Sequence, residues 1–292
     1  MEQEILRYIT YLKEKKNASE NTVSSYRRDL LQMQAYLQNK GIAKTSDVTA
    51  DMLGEYTHSL LEGGKASASV ARAVASMKAF FAFAAGSAQS PAKGLKSPKI
   101  PVREADVLTS GEIELLLQQP ETDSSKGLRD KAMLELLCDT GIQVSEMTAL
   151  RTRDVYLDEG EGYVVCGAEK KTRKLPLSSS VQAVLKRYLA ESRDVLVGDT
   201  GCEYLFTNRS GEKLSRQGFW KILKTYCGKA GIEKDVTPNM LRGVCAVQLV
   251  ESGLEIDEVR RRLGHGDLVT TRAYLEKLRK HFVTIKTSNI GL

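Results

Sequence analysis

Apolar residues in the first third of the chain return every three or four positions. Ile5, Tyr8, Ile9 and Leu12 share one helical face. Val23, Tyr26, Leu30, Met33 and Leu37 form a second stripe, with Ser19 or Asn21 as its cap. In TSDVTADMLGEYTHSLL, cap-type residues precede Met52, Tyr56 and Leu60 at the same spacing. SASVARAVASMKAFFAFAA is alanine-rich, a composition of high helix propensity. Four such helices predict a compact bundle over residues 1–90.

The texture then changes. GSAQSPAKGLKSPKIPVREADV holds prolines 91, 98 and 101, which remove backbone donors and keep the chain extended, so residues 91–107 read as a linker. A second domain is expected over 108–292. TSGEIELLL opens on Thr109 or Ser110 as cap, with Glu112 or Glu114 to close a capping box. GLRDKAMLELLCDTGI reads as an amphipathic helix closed by Gly141. Helical periodicity breaks in EGYVVCGAEKKTRKLPLS. Val164, Val165, Leu175 and Leu177 predict a short hairpin with its tip near Glu169–Thr172. Helices resume at about 178–192 and 214–230. TPNMLRGVCAVQLVESG has Pro238 in its first turn and ends at Gly253, and EIDEVRRRLG stops at Gly264. The fold class is mainly α with a small β-sheet (α+β).

Composition bounds the function. The 41% hydrophobic and 27% charged fractions are those of a soluble globular protein. No uninterrupted apolar run approaches the roughly 20 residues that span a bilayer, so no membrane association is expected. The N-terminus MEQEILRYITYLKEKK is amphipathic and acidic at its start, and is not read as a signal peptide. Five scattered cysteines without a C-x-x-C predict a reducing, cytoplasmic setting. Three histidines without ligand spacing predict no metal. Net charge is +6, and residues 1–100 hold 14 Lys/Arg against 9 Asp/Glu, leaving 29 against 28 for the rest. A basic N-terminal third points to a polyanion, most often nucleic acid. Lys15, Lys16, Arg27 and Arg28, with linker residues Lys93, Lys96 and Lys99, are the candidate phosphate contacts; a solvated basic face is the plainer reading.

Seven segments then occur in order: SENTVSSYRRDL, the linker prolines, GLRDKAMLELL, a glycine-ended turn with VSEM, the KxRxxPL hairpin, TPNMLR and LGHGDLVTTRAY. Together they resemble the tyrosine recombinases, in particular the Xer-type and phage-integrase-like members, over nearly the whole chain. The resemblance implies an N-terminal helical core-binding (SAM-like) domain and a C-terminal catalytic-type domain that close on double-stranded DNA. It implies a tyrosine that attacks a phosphodiester to give a 3′-phosphotyrosyl bond. Two arginines hold the phosphate, a hairpin lysine protonates the leaving oxygen, and two His-type positions complete the site. Bond energy is conserved, so no cofactor is implied. The residue types suit the chemistry. Charge that develops on phosphate oxygens calls for preorganised cations, and arginine forks two oxygens without losing its charge. A tyrosine of pKa about 10 is a poor nucleophile unless its neighbours polarise it.

On that pattern Tyr274 takes the nucleophile position, His265 the second His-type position and Arg242 the second arginine. Glu146 matches the acid that braces the first arginine. Three positions depart: Gln143 stands for the first arginine, Ala168 for the hairpin lysine and Asn239 for the first His-type residue. Lys170 and Lys171 at the tip could swing in to replace the missing lysine. Losing one transition-state donor costs roughly 10²–10³ in rate. The expectation is therefore a DNA-clamping recombinase relative with cleavage impaired or absent. The alternative is an active site-specific recombinase or integrase using Tyr274. The tail after Tyr274 carries Leu275, Leu278, Phe282 and Ile285, a stripe that could dock on a second copy or a related recombinase on DNA, or pack within its own chain.

Overall fold

In the computed structural model, residues 1–85, 89–99, 108–157, 160–167 and 172–276 are described. They fall into two compact units, Met1–Arg103 and Glu104–Leu292.

The first unit is helical. α1 (Glu2–Glu14), α2 (Glu20–Asn39), α3 (Ala50–Glu62) and α4 (Ser67–Ala85) pack their stripes into one core. Ser19, and not Asn21, caps α2, since its side chain accepts from the backbone N–H of Thr22. Asn21 lies inside the helix. In α3 the buried stripe is Leu53, Tyr56 and Leu60, one position on from the expected Met52, which is only partly covered. α4 is long and apolar enough by length and composition to cross a membrane, although Arg72 and Lys78 interrupt its apolar run. Its Val70, Val74, Met77, Phe80 and Phe81 are nevertheless buried in the core of this unit. After α4 the chain turns back on the bundle. Ala92 is fully buried and Leu95 packs beside it.

The second unit is built around α6 (Ser125–Thr140). α5 (Ser110–Gln118) precedes it, opened by a Thr109–Glu112 capping box. α6 is buried on most sides, where amphipathicity was expected: Leu128, Ala132, Met133, Leu134, Leu136 and Leu137 are all within the core. Even its charged pair is buried. Arg129 forks Asp130, donates to the Thr207 carbonyl at 2.7 Å, and Asp130 accepts from the Tyr226 hydroxyl at 2.9 Å. α7 (Val144–Met147) follows at once.

The small sheet has order β1-β2-β3, all antiparallel: β1 (Val155–Tyr156), β2 (Tyr163–Cys166) and β3 (Arg173–Pro176). Val164 pairs with Leu175 and both are buried, so the hairpin's apolar face meets the core. β1, two residues long, was not foreseen. Then come α8 (Ser179–Glu191), the short α9 (Arg193–Val197), α10 (Arg216–Lys229), α11 (Pro238–Glu251) and α12 (Ile256–Leu263). A last helix covers 268–276 of the described residues. Leu275 from it is buried against Ala246, Val247, Val259 and Leu263, so this first member of the tail stripe packs within its own chain. Leu278, Phe282 and Ile285 lie outside the described residues.

Removing one partner of a buried ion pair leaves the other uncompensated, at a cost of about 3–5 kcal/mol. Asp130→Ala should therefore destabilise the second unit by about that amount. Tyr226→Phe, which removes one hydrogen bond, should cost about 1 kcal/mol. Urea unfolding of the two variants measures the difference, and equal losses would contradict the network.

Candidate active site

Two helix ends meet at one point. α6 ends at Gly141 and α12 at Gly264, both in the left-handed conformation (φ 59° and 68°) that glycine adopts without a Cβ penalty. A Cβ at Gly141 would also lie 3.0 Å from Leu263 and 3.2 Å from the Cys245 sulfur. From α11, Arg242 reaches between these ends. Its Nη1 donates to the Gly141 carbonyl and its Nη2 to the Leu263 carbonyl. The side chain is only 6% exposed. Burial pulls its pKa below the usual value, yet an arginine stays charged in proteins.

His265 follows immediately. Its Nδ1 lies 3.0 Å from Thr271 Oγ1, and that hydroxyl donates its proton to the Asp267 carbonyl at 3.3 Å. The hydroxyl must then accept from Nδ1–H, which leaves Nε2 as the basic nitrogen of the ring. The His265 and Tyr274 rings meet edge to face, with centroids 5.5 Å apart at 89°. Tyr274 projects from helix 268–276, which Asp267 caps by accepting from the Thr270 N–H at 2.7 Å. Its hydroxyl donates to the backbone carbonyl of Asn239 at 3.2 Å. Tyr274, Arg242, His265 and Asn239 are thus brought together.

The electrostatics favour the resting state. Burial pushes the Tyr274 phenol up to about 12, with the nearby Arg242 cation pulling partly the other way. At neutral pH roughly one molecule in 10⁵ would hold it as phenolate. His265 is held below the usual imidazole value, first by burial and then by the Arg242 charge, so it is neutral at pH 7.

The other expected residues divide. Gln143 is exposed and caps α7. Its backbone N–H donates to Glu146 Oε2 at 3.1 Å, so its place in the fold is held by its main chain. Glu146 is gripped from β3: Arg173 Nη1 and Nη2 reach its two oxygens at 2.6 and 2.8 Å. Arg173 belongs to the KxRxxPL motif but was given no part in the site by sequence reasoning; only the fold shows its proximity. Ala168, Lys170 and Lys171 lie outside the described residues. In the first unit Lys15, Lys16, Arg27, Arg28, Lys93, Lys96 and Lys99 are all exposed, and none forms an ion pair among the described residues. Sequence reading expected the helix at about 214–230 but gave the outer face of α10 no part in binding. Phe219, Leu223 and Tyr226 face the core, which turns Arg216, Gln217, Trp220 and Lys221 to solvent. Trp220 is 43% exposed. The signal was available, since the polar members of RQGFWKILK recur on the face opposite its apolar ones.

A helical unit, a mixed unit and a tyrosine beside an arginine and a histidine define a class, and comparison with known proteins agrees. Residues 5–87 match the phage integrase N-terminal SAM-like domain, and residues 106–281 match the phage integrase family. The chain is 36% identical over 280 residues to tyrosine recombinase XerC of Roseiflexus castenholzii, covering 94% of this chain and 88% of that protein. It is 36% identical over 271 residues to tyrosine recombinase XerD of Staphylococcus epidermidis, covering 91% of each. Among solved structures, XerH site-specific recombinase bound to palindromic difH substrate superposes with a TM-score of 0.72 at 20% identity, over 97% of this chain and 84% of that one. The Tn1549 transposon integrase in complex with transposon right end DNA gives 0.73 at 15%, over 97% and 99%. The chain belongs to the phage integrase family, the tyrosine recombinases, and shares their fold.

A nuclear magnetic resonance titration should place the His265 midpoint below the ordinary 6.5. Arg242→Gln removes a cation that disfavours the imidazolium, so the midpoint should rise. No shift, or a further fall, would show that the two groups are not electrostatically coupled.

Proposed function

We propose that this chain holds duplex DNA in the manner of its family and cleaves it slowly or not at all. One observation carries the reading. Of the two arginines whose charges act on His265 (Arg242 and Arg173), Arg173 is paired with Glu146 and Arg242 has no ion pair with a carboxylate among the described residues. Its two terminal nitrogens already serve backbone carbonyls. The site therefore offers a phosphate one uncompensated guanidinium. Gln143 and Asn239 add no charge, and Ala168 adds no donor at all. Tyr274 rests protonated, with its hydroxyl given to a carbonyl.

Binding is supported separately. The relatives named above are recombinases, and two of the superposed structures hold DNA. Seven exposed, unpaired basic side chains in the first unit and the Arg216–Lys221 face of α10 in the second are suitable phosphate contacts. Guanidinium and ammonium groups that neutralise phosphates release counterions, so the affinity should fall by about 0.9 log units per contact for each log unit of salt. Binding to duplex DNA, measured by anisotropy across salt concentrations, tests this. Arg27→Glu with Arg28→Glu should weaken binding to all sequences alike, and a flat salt response would end the DNA reading.

Cleavage is tested on a nicked duplex that traps the covalent intermediate, after recovering the bound site from genomic DNA. The unmodified chain should form little adduct. Gln143→Arg, Ala168→Lys and Asn239→His together should raise the yield by about 10² or more, since each restores a donor to the developing charge. Tyr274→Phe should abolish that gain. Efficient adduct from the unmodified chain would favour an active recombinase instead. An adduct that survives Tyr274→Phe would mean another residue attacks.

A further inference from the structure

Arg173 is tied to two elements and its charge acts on His265 and Arg242, yet it stands outside the tyrosine, histidine and arginine set. It leaves β3 at the end of the hairpin and spends donors on two other elements. Nε donates to the Arg262 carbonyl in the last turn of α12 at 2.7 Å, and both Nη atoms hold Glu146 of α7. Gly264 lies flat against the guanidinium, where a Cβ would come within 2.9 Å of Cζ. The side chains of Arg173 and Glu146 are 13% and 16% exposed, so water screens the pair weakly. Arg262 and Gly264 flank Leu263, whose carbonyl is one of the two that anchor Arg242, and His265 is the next residue along.

Charge gives a second reason for the arrangement. Without Arg173, and with glutamine at 143, Glu146 would be an uncompensated acid whose charge reaches Arg242, the proposed phosphate-binding cation. An unpaired carboxylate there would repel the phosphate oxygens. Arg173 cancels that charge while its planar fork fixes both carboxylate oxygens, which a lysine cannot do.

We propose that Arg173 is a positioning residue of the tyrosine site: through Glu146 and the Arg262 carbonyl it fixes the segment that presents Leu263 to Arg242 and His265 to Tyr274. The proposal rests on Tyr274, His265 and Arg242 forming one site. It does not require that this chain cleave DNA.

Backbone hydrogen exchange in the free, full-length protein tests it, comparing Arg173→Gln, Arg173→Lys, Glu146→Gln and the double variant. With Arg173→Gln, exchange over residues 264–271 should rise about ten-fold while α6 and α8 stay protected, because a local tie has been cut. Arg173→Lys, which keeps the charge but not the fork, should fall between. Glu146→Gln should loosen the same segment, and the double variant should be no looser than the worse single one, because the two residues act as a unit. A uniform rise across the second unit would reduce Arg173 to a general stability residue and overturn the proposal. So would unchanged exchange over 264–271, or additive effects of the two substitutions. A second measurement reads the chemistry. In the Gln143→Arg/Ala168→Lys/Asn239→His protein, adding Arg173→Gln should lower adduct per bound DNA about ten-fold, with Kd for DNA changed less than about two-fold. A parallel loss of binding and adduct would speak against positioning. The exchange experiment needs no DNA, so a chain that failed to bind DNA would refute the proposed function and leave this inference readable.

Discussion

The buried guanidinium of Arg242 constrains the second unit more than any other group. Taking a permanent charge out of water is costly, and no carboxylate among the described residues forms an ion pair with it, Glu146 acting only from a distance. What offsets it is the carbonyl ends of two helices, α6 and α12, where partial negative charge concentrates. Both helices must therefore stop at the same place. Each does so with a left-handed glycine, and at Gly141 a Cβ would crowd the side chains of Leu263 and Cys245. Once Leu263 is pinned, His265 is two residues away, and Thr271 and Asp267 lock its ring. Tyr274 lies one helix further on, over the small apolar cluster that Leu275 completes. Site geometry is thus a consequence of where one cation is buried.

How much of this could be read from the sequence depended on the range of the interaction. Stripes such as Ile5, Tyr8, Ile9 and Leu12 repeat within one helix, and their burial follows from spacing alone. Local chemistry also placed the Thr109–Glu112 capping box, the Val164–Leu175 hairpin face and the glycine stop at Gly141. Errors came where neighbours in space decide. Met52 and Leu53 are adjacent and apolar, and only the packing of α3 on its partners selects Leu53. α6 carries charges that suggest a wet face. Arg129 and Asp130 instead satisfy each other together with Thr207 and Tyr226, which are about 80 and 100 residues distant in sequence. β1 is too short for any period to register. The closeness of Tyr274, His265 and Arg242 was expected only because ordered motifs resemble a family; spacing along the chain gave no reason for it. Arg173 sat inside one of those motifs and stayed unassigned, since its partners come from α7 and α12.

The same distinction between main-chain and side-chain roles bears on the three positions proposed to depart from the family pattern. Among the described residues these are Gln143 and Asn239, both exposed. Each contributes to the fold through its backbone. The Gln143 N–H is taken by Glu146, and the Asn239 carbonyl accepts from Tyr274. A different side chain at either place leaves those bonds intact. Arg242 and Glu146 are the opposite case. Removing Arg242 would leave two buried carbonyls without their donor, and removing Glu146 would leave Arg173 uncompensated in a site largely closed to water. Substitution is therefore cheap where a residue serves only the bound phosphate and costly where it also holds the protein together. A chain that drifted away from strand cleavage would lose charge first at 143 and 239 and keep Arg242, Glu146 and Arg173. On the proposed function, Gln143 and Asn239 beside Arg242, Glu146 and Arg173 make up that combination. The retained arginine is consequently weak evidence for catalysis, because the fold alone is sufficient reason to keep it.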